Sequence, residues 1–246
     1  MIWILFSFLT ALFRSLEDVF SKKNLKKTDE YVISWSLRFF ALLFLIPILF
    51  FIDIPSLGDK FWLTLIITGS LNTLTTILYI KAIKHSDLSV TAPMITFTPL
   101  FLLITSPLIL KESPNIFGLI GVLLIVLGSY TLNIRKRHAG YLEPFKALLK
   151  EKGPRLMLLV AFIYSITSNF DKIGVQNSSA IFWAMAINLF ATLVLLPIML
   201  YKSHESLRQV KNKYKTLLPI GLFSALTLVF QMIAINLTLV AYVISI

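Results

Sequence analysis

Apolar residues run along this chain in nearly unbroken stretches of about 20, separated by short polar segments. Each stretch is long enough to cross a hydrocarbon layer of roughly 30 Å as a helix, and the alternating pattern of an outer-membrane strand is missing. The pattern predicts helices near 2–21, 32–52, 61–83, 89–110, 115–134, 156–175, 180–201 and 216–238, with a further one beginning at about 240. Composition strengthens the reading. A 246-residue chain that is 57% hydrophobic and 14% charged, with mean hydropathy +0.83, has too much apolar surface for one soluble core. The first stretch has no basic residues ahead of it and no small-residue cleavage pattern after it, so it is expected to be a retained anchor, not a signal peptide. The absence of cysteine excludes disulfides, thiolate metal sites and a cysteine nucleophile.

A formal charge of +11 would fit a nucleic-acid ligand if the basic residues formed a stripe, but they fall between the apolar stretches. Lys22, Lys23, Lys26 and Lys27 fill the first loop, Arg135 to Arg155 the fifth and Lys202 to Lys215 the seventh, whereas the second, fourth and sixth hold only Lys60, Lys111 and Lys172. By the positive-inside rule the odd loops face the cytoplasm and Met1 lies outside.

The chain also repeats itself. Gly69–Pro93 aligns without gaps on Gly221–Ser245, with Gly69 on Gly221, Leu74 on Leu226, Tyr79 on Gln231 and Ala82 on Ala234. Upstream, Asp18 pairs with Asp171, Arg38 with Asn188 and Pro47 with Pro197. Five spans per repeat is an odd number, so the second copy must be inserted upside down, and equivalent loops must differ in charge, as they do. The expectation is an all-α polytopic membrane bundle of two inverted five-helix repeats. The first covers 1–134, a basic linker covers 135–155, and a second repeat, truncated within span nine, covers 156–246.

Residues 70–132 resemble one repeat of the EamA family of the drug/metabolite transporter superfamily. The resemblance rests on Tyr79, Ala82, Pro93, Thr98-Pro99-Leu100-Phe101, the Lys111-Glu112-Ser113-Pro114 turn and Gly118, Gly121 and Gly128, with Arg38-Phe39 in span two. Residues 156–246 resemble a second, incomplete repeat. The resemblance implies a ten-helix transporter of small metabolites or drug-like solutes, with a central cavity, in the cytoplasmic membrane. It also implies both termini in the cytoplasm, against the charge count.

Each candidate site residue has a structural reading beside the functional one. Pro93, Pro99 and Pro107 free helix carbonyls, which lipid tolerates only where protein or a wet cavity takes them up, so Pro99 with Thr98 marks either a cavity or a packing kink. Gly118, Gly121 and Gly128 are expected to let a neighbouring helix approach closely. Asn72, Thr75, Thr76 and Tyr79, then Tyr164, Ser165, Ser168 and Asn169, then Thr227 and Gln231 place polar groups inside spans three, six and eight, where they either join helices or line a polar path. Arg38, shallow in span two, is expected to snorkel to the interface or to join an ion pair. The linker's Leu142, Phe145, Leu148 and Leu149 recur at helical spacing and suit a surface helix on anionic headgroups. Asp18 has Arg14 and Lys22 four residues to either side. Asp171 has no cation on its own helix face, so it is either solvated at a helix end or able to exchange a proton or contact a cationic group.

Span count alone would also fit a membrane enzyme, but converging nucleophiles, acids or metal ligands are missing from the sequence, and no cofactor or metal is expected. The expected partners are a small-molecule solute and the lipid bilayer, with no nucleic acid; a homodimer is left open. A flippase for lipid-linked precursors and a non-transporting membrane subunit are the alternatives.

Overall fold

The computed structural model describes residues 2–132 and 150–246. Most of the proposed linker, including Leu142 to Leu149, lies outside the described residues. The helices are α1 (Ile2–Asn24), α2 (Glu30–Leu45), α3 (Phe61–His85), α4 (Leu88–Ile95), α5 (Thr98–Ile109), α6 (Ile116–Leu132), α7 (Lys152–Gln176), α8 (Ala180–Lys202), α9 (Ser206–Leu237) and the short α10 (Val240–Ile244). A 3-10 turn, Ile46–Phe51, extends α2. No strand occurs among the described residues. Six of the spans, counting α2 with its 3-10 extension and α4 with α5 as one each, are long and apolar enough to cross a membrane. The protein is an all-α, multi-pass membrane bundle.

Local chemistry explains the helix ends. Asp29 caps α2 by accepting from the Tyr31 N–H at 2.9 Å, and Ser179 caps α8 by accepting from the Phe182 N–H at 3.3 Å. Pro47 turns the end of the second span into 3-10 geometry, whereas its repeat partner Pro197 sits inside continuous α8. The fourth span breaks between Ile95 and Thr98. There Pro99 cannot donate to the Ile95 carbonyl, and the Thr98 hydroxyl does so instead at 2.7 Å; the Thr96 hydroxyl bonds the Pro93 carbonyl at 2.7 Å. α9 starts ten residues before its apolar stretch, because Arg208, Gln209, Lys211, Lys213 and Lys215 are good helix formers and continue the helix into water.

Large apolar side chains such as Phe50, Phe51, Leu108 and Phe117 are exposed around the outside, where lipid is the solvent. Inside, α1 and α9 mesh through an aromatic ladder of period seven. Phe6 stacks on Phe230 at 5.8 Å, Phe13 lies between Phe230 and Phe223 at 5.8 and 6.2 Å, and Phe20 closes on Phe223 at 5.4 Å. Several helix pairs occur as twins. α1 packs on α9 as α7 packs on α3, α2 on α9 as α8 on α3, and α10 on α1 as α4 on α7. Asn188 of α8 donates to the Arg38 carbonyl of α2 at 2.7 Å, so the two residues paired by the sequence repeat touch each other.

Two close approaches at glycine are reciprocal as well. A Cβ at Gly69 would meet the Phe190 ring at 2.4 Å, and one at Gly221 would meet Phe40 Cβ at 2.3 Å, the Phe40 carbonyl carbon at 2.6 Å and the Ala41 nitrogen at 2.8 Å. The first obstacle is a ring that can tilt and the second is backbone, so Gly221→Ala is expected to destabilise by about 1–3 kcal/mol and Gly69→Ala by less. Thermal unfolding of the purified variants in detergent checks the order, and equal shifts would contradict it. Of the three glycines expected to admit a neighbour in α6, only Gly118 does so: a Cβ there would meet the Tyr242 ring at 2.4 Å. At Gly121 and Gly128 it would meet nothing within 4 Å among the described residues.

The turns gather at two ends of the bundle. At one, Lys213 bonds the Lys27 carbonyl, the Asp29 N–H donates to Gln209 Oε1 at 3.2 Å, Lys84 pairs with Glu30, and Gly153 abuts Ser86. At the other, the Gly58 N–H donates to the Asn177 carbonyl at 2.9 Å and Tyr242 meets Asn115.

Candidate functional site

A cavity of about 340 Å³ lies between α1, α3, the α4–α5 break, α7, α9 and α10. The break supplies Ala92, Ile95, Thr96, Thr98 and Pro99 to its wall. Of the residues singled out in the sequence, Asp18, Arg38, Asn72, Tyr79, Thr98, Pro99, Tyr164, Asp171 and Gln231 all line this one space. Asn169 does not. Its side chain is fully buried, donating to Thr105 Oγ1 at 3.1 Å and to the Ser165 carbonyl at 2.7 Å and accepting from Ser106 Oγ at 2.8 Å, so it joins α7 to α5.

The wall carries two guanidinium and three carboxyl groups, and each is held by a defined partner. On α1, Arg14 Nη1 donates to Glu17 Oε1 at 3.2 Å and Nε stands 3.7 Å from Asp18 Oδ1, while the guanidinium lies 4.2 Å above the Tyr79 ring. The Tyr79 hydroxyl donates to Asp18 Oδ2 at 2.7 Å. The predicted i,i+4 pairing thus holds for Arg14. Lys22 points away to the end of α3, where its Nζ meets the Ser86 carbonyl at 2.8 Å.

Arg38 does not snorkel. It is 7% exposed and faces inward, and its Nη2 and Nε donate to Thr76 Oγ1 at 2.7 and 3.3 Å. The reason is rotational: α2 turns this face toward Thr76 of α3, not toward lipid. Two of its five donors are used this way, which leaves the rest of the fork to the cavity, in the field of Glu17 and Asp171.

Asp171 has no ion-pair partner among the described residues, but it is buried and hydrogen-bonded and is not exposed at a helix end. It is 4% exposed, and Oδ1 accepts from Trp183 Nε1 of α8 at 3.0 Å. The contact requires Gly174, since a Cβ one helical turn beyond Asp171 would meet the indole ring at 2.2 Å. Trp183 is a site residue that sequence reasoning missed. The signal was present, because an indole N–H inside a membrane span must find an acceptor. Ser7, Thr10 and Ser224 also line the cavity and were missed, as short hydroxyls in an apolar stretch give little pattern. Among the described residues, the buried Ser7 Oγ, Glu17 Oε2 and Thr227 Oγ1 atoms have no hydrogen-bond partner, and all three residues contribute to the cavity wall.

No curated protein matches the chain. Residues 1–134 match the EamA-like transporter family, and that stretch contains α1 to α6 and both cavity arginines. Six membrane-crossing helices, a cavity lined with charged and polar groups, and a family match over more than half its length make this chain a member of the EamA-like transporter family, within the drug/metabolite transporter superfamily.

Proposed function

We propose that the cavity is the solute site of an alternating-access transporter, which carries small metabolites or drug-like solutes across the cytoplasmic membrane. The observation that carries the reading is the convergence of Arg14, Glu17, Asp18, Arg38 and Asp171 on one space of about 340 Å³ within the bundle. That volume falls in the roughly 300–1,000 Å³ range of small-molecule sites. Charged groups in hydrocarbon are expensive, and five sharing one cavity suit a pathway better than a structural core.

The twinned packing supports two inverted repeats, 1–134 and 156–246, whose relative rocking would expose the cavity to alternate sides. Gly69 on Phe190 and Gly221 on Phe40 are the same contact made twice in the sequence register, and Asn188 on Arg38 lies where the two copies meet. The carboxylates Asp18 and Asp171 are the coupling candidates, and Arg38 with the Tyr79 and Gln231 pair sets the polarity of the solute it accepts.

Reconstitution in proteoliposomes with a panel of radiolabelled cationic, anionic and zwitterionic solutes tests the proposal. Flux of at least one class is expected, and Thr227→Trp, which fills the cavity from α9, is expected to cut it about tenfold or more, the loss that about 1.4 kcal/mol brings. Unchanged flux in a folded Thr227→Trp protein would place the pathway elsewhere. Movement of a labelled lipid-linked sugar with no soluble solute would favour the flippase.

A further inference from the structure

Two lysines outside the cavity make matching contacts at opposite ends of the bundle. Lys22, in the last turn of α1, donates through Nζ to the carbonyl oxygens of Ile83 at 2.5 Å and Ser86 at 2.8 Å, at the C-terminal end of α3. Lys172, near the end of α7, donates through Nζ to the Thr238 carbonyl at 2.9 Å, at the C-terminal end of α9. α1 and α7 open the two repeats, and α3 and α9 are their equivalent third spans. The register that sets Gly69 on Gly221 also sets Ser86 on Thr238. Each lysine therefore binds the same carbonyl of its own repeat, where the last helix carbonyls and the negative end of the helix dipole favour a cation.

The sequence places Lys172 in a loop, but it lies within α7, is 7% exposed, and forms a second bond, an ion pair at 2.5 Å to Glu112 Oε1. Glu112 is held in place for it. Lys111 adopts the left-handed region at φ 58°, which turns the chain sharply after α5, and the Glu112 N–H bonds back to the Ser106 carbonyl at 3.4 Å. A non-glycine residue in that region costs of order 1 kcal/mol, so the turn persists because its surroundings fix it. Glu112 links the fourth span to the sixth and, through Lys172, to the eighth. At the other end, Lys22 ties the first span to the third by carbonyl bonds alone.

We propose that Lys22 and Lys172 with Glu112 are the two gate latches of the transport cycle, one at each end of the cavity. Each lysine stands within about one helical turn of a cavity carboxylate, Asp18 for Lys22 and Asp171 for Lys172. Releasing a latch frees the helix that carries that carboxylate to swing away from its partner. Both sets of contacts are made in this structure. The Lys172 end, with an ion pair added, is the harder to open.

The proposal rests on the alternating-access reading but is tested separately from it. None of the three latch residues lines the cavity, and the chain has no cysteine, so Thr227→Cys in the cavity wall serves as reporter. Its modification by a membrane-impermeant maleimide is followed in right-side-out and inside-out vesicles. Lys172→Met is expected to speed labelling about tenfold from the end that carries Glu112 and to leave the other end unchanged, the shift in open population that about 1.4 kcal/mol gives. Lys22→Met is expected to do the reverse. Glu112→Gln, which keeps the lysine-to-carbonyl bond, is expected to act in the same direction as Lys172→Met with a smaller effect. The exchange Lys172→Glu with Glu112→Lys restores the ion pair but not the bond to the Thr238 carbonyl, so it is expected to slow labelling relative to Lys172→Glu alone without reaching the parent rate, and it carries the test if Lys172→Met fails to insert. Unchanged rates, or equal increases from both ends, would make the lysines plain structural ties and overturn the proposal. Solute flux measured on the same vesicles separates the two readings. End-selective labelling without flux in the parent would sink transport alone, and flux with labelling that does not distinguish the ends would sink the latches alone.

Discussion

Asp171→Asn is expected to lower solute flux by about ten- to a hundredfold, with the protein still folded and inserted, because the change removes a charge and little else. The amide is the same size as the carboxyl, and its oxygen can still accept the Trp183 N–H that now binds Oδ1 at 3.0 Å. Neutralising a buried carboxylate relieves its desolvation, so stability is not expected to fall. A charge-assisted contact to a solute, or to a proton carried with it, is worth about 1.5–3 kcal/mol, which corresponds to that range of rates. Asp18→Asn should cost less. Asp18 is held between Arg14 and the Tyr79 hydroxyl, and Arg14 keeps Glu17 when Asp18 is neutralised. The measurement is initial flux in proteoliposomes at matched protein content over a pH series. The groups that share the cavity with Asp171 and bear on its protonation are Arg14, Glu17, Asp18, Arg38, Tyr79 and Tyr164, so each pH profile is read against the parent with all six intact. Loss of flux and a flattened pH response confined to Asp171→Asn would support its coupling role, and parental rates with a parental pH profile would remove it.

Much of the bundle was legible because membrane helices write their length directly into the sequence. Each of the eight apolar stretches coincides with helix, six of them long and apolar enough to cross a membrane, and boundaries moved mainly where polar residues continue a helix into water, as at Ser206–Lys215. Polar side chains inside apolar stretches also pointed to part of the cavity wall, since a hydroxyl or amide in hydrocarbon must point toward protein or water. What the sequence could not give was rotation. Asn169 and Asn72 look alike in their spans, yet one is spent on Thr105, Ser106 and Ser165 while the other faces the cavity. Arg38 looked able to reach an interface because its depth could be counted, whereas the direction of its side chain could not. Trp183 acts on Asp171 from another helix and Glu112 on Lys172 from the turn after α5, and local spacing carries no trace of such contacts. The same limit applies to Lys22, whose i,i+4 relation to Asp18 is real but loses to the carbonyls at the end of α3.

Labelling of single cysteines from outside intact cells is expected to be all-or-none for the two ends of the bundle, with Ser56→Cys reactive and Lys26→Cys protected. Both parent side chains are exposed, so burial is not what separates them. The loops sort by end. Lys22 to Lys27 meet the basic start of α9, through Lys213 on the Lys27 carbonyl and Gln209 on Asp29, and Lys84 stands close by on Glu30. The opposite end brings Gly58 onto Asn177, and there Lys60 and Lys111 are offset by Asp53, Asp59 and Glu112. Lys172 at that end is already bound to Glu112 and Thr238. Lysine and arginine resist crossing and are retained on the cytoplasmic side, so the end carrying the first and seventh loops should be inside. That orientation puts the N-terminus outside, opposite to the usual arrangement of this family. A labelled Lys26→Cys with a protected Ser56→Cys would reverse the assignment and show that the charge asymmetry does not set the orientation here. It would also exchange the two latches, with Lys22 guarding the outer entrance and Lys172 with Glu112 the cytoplasmic one.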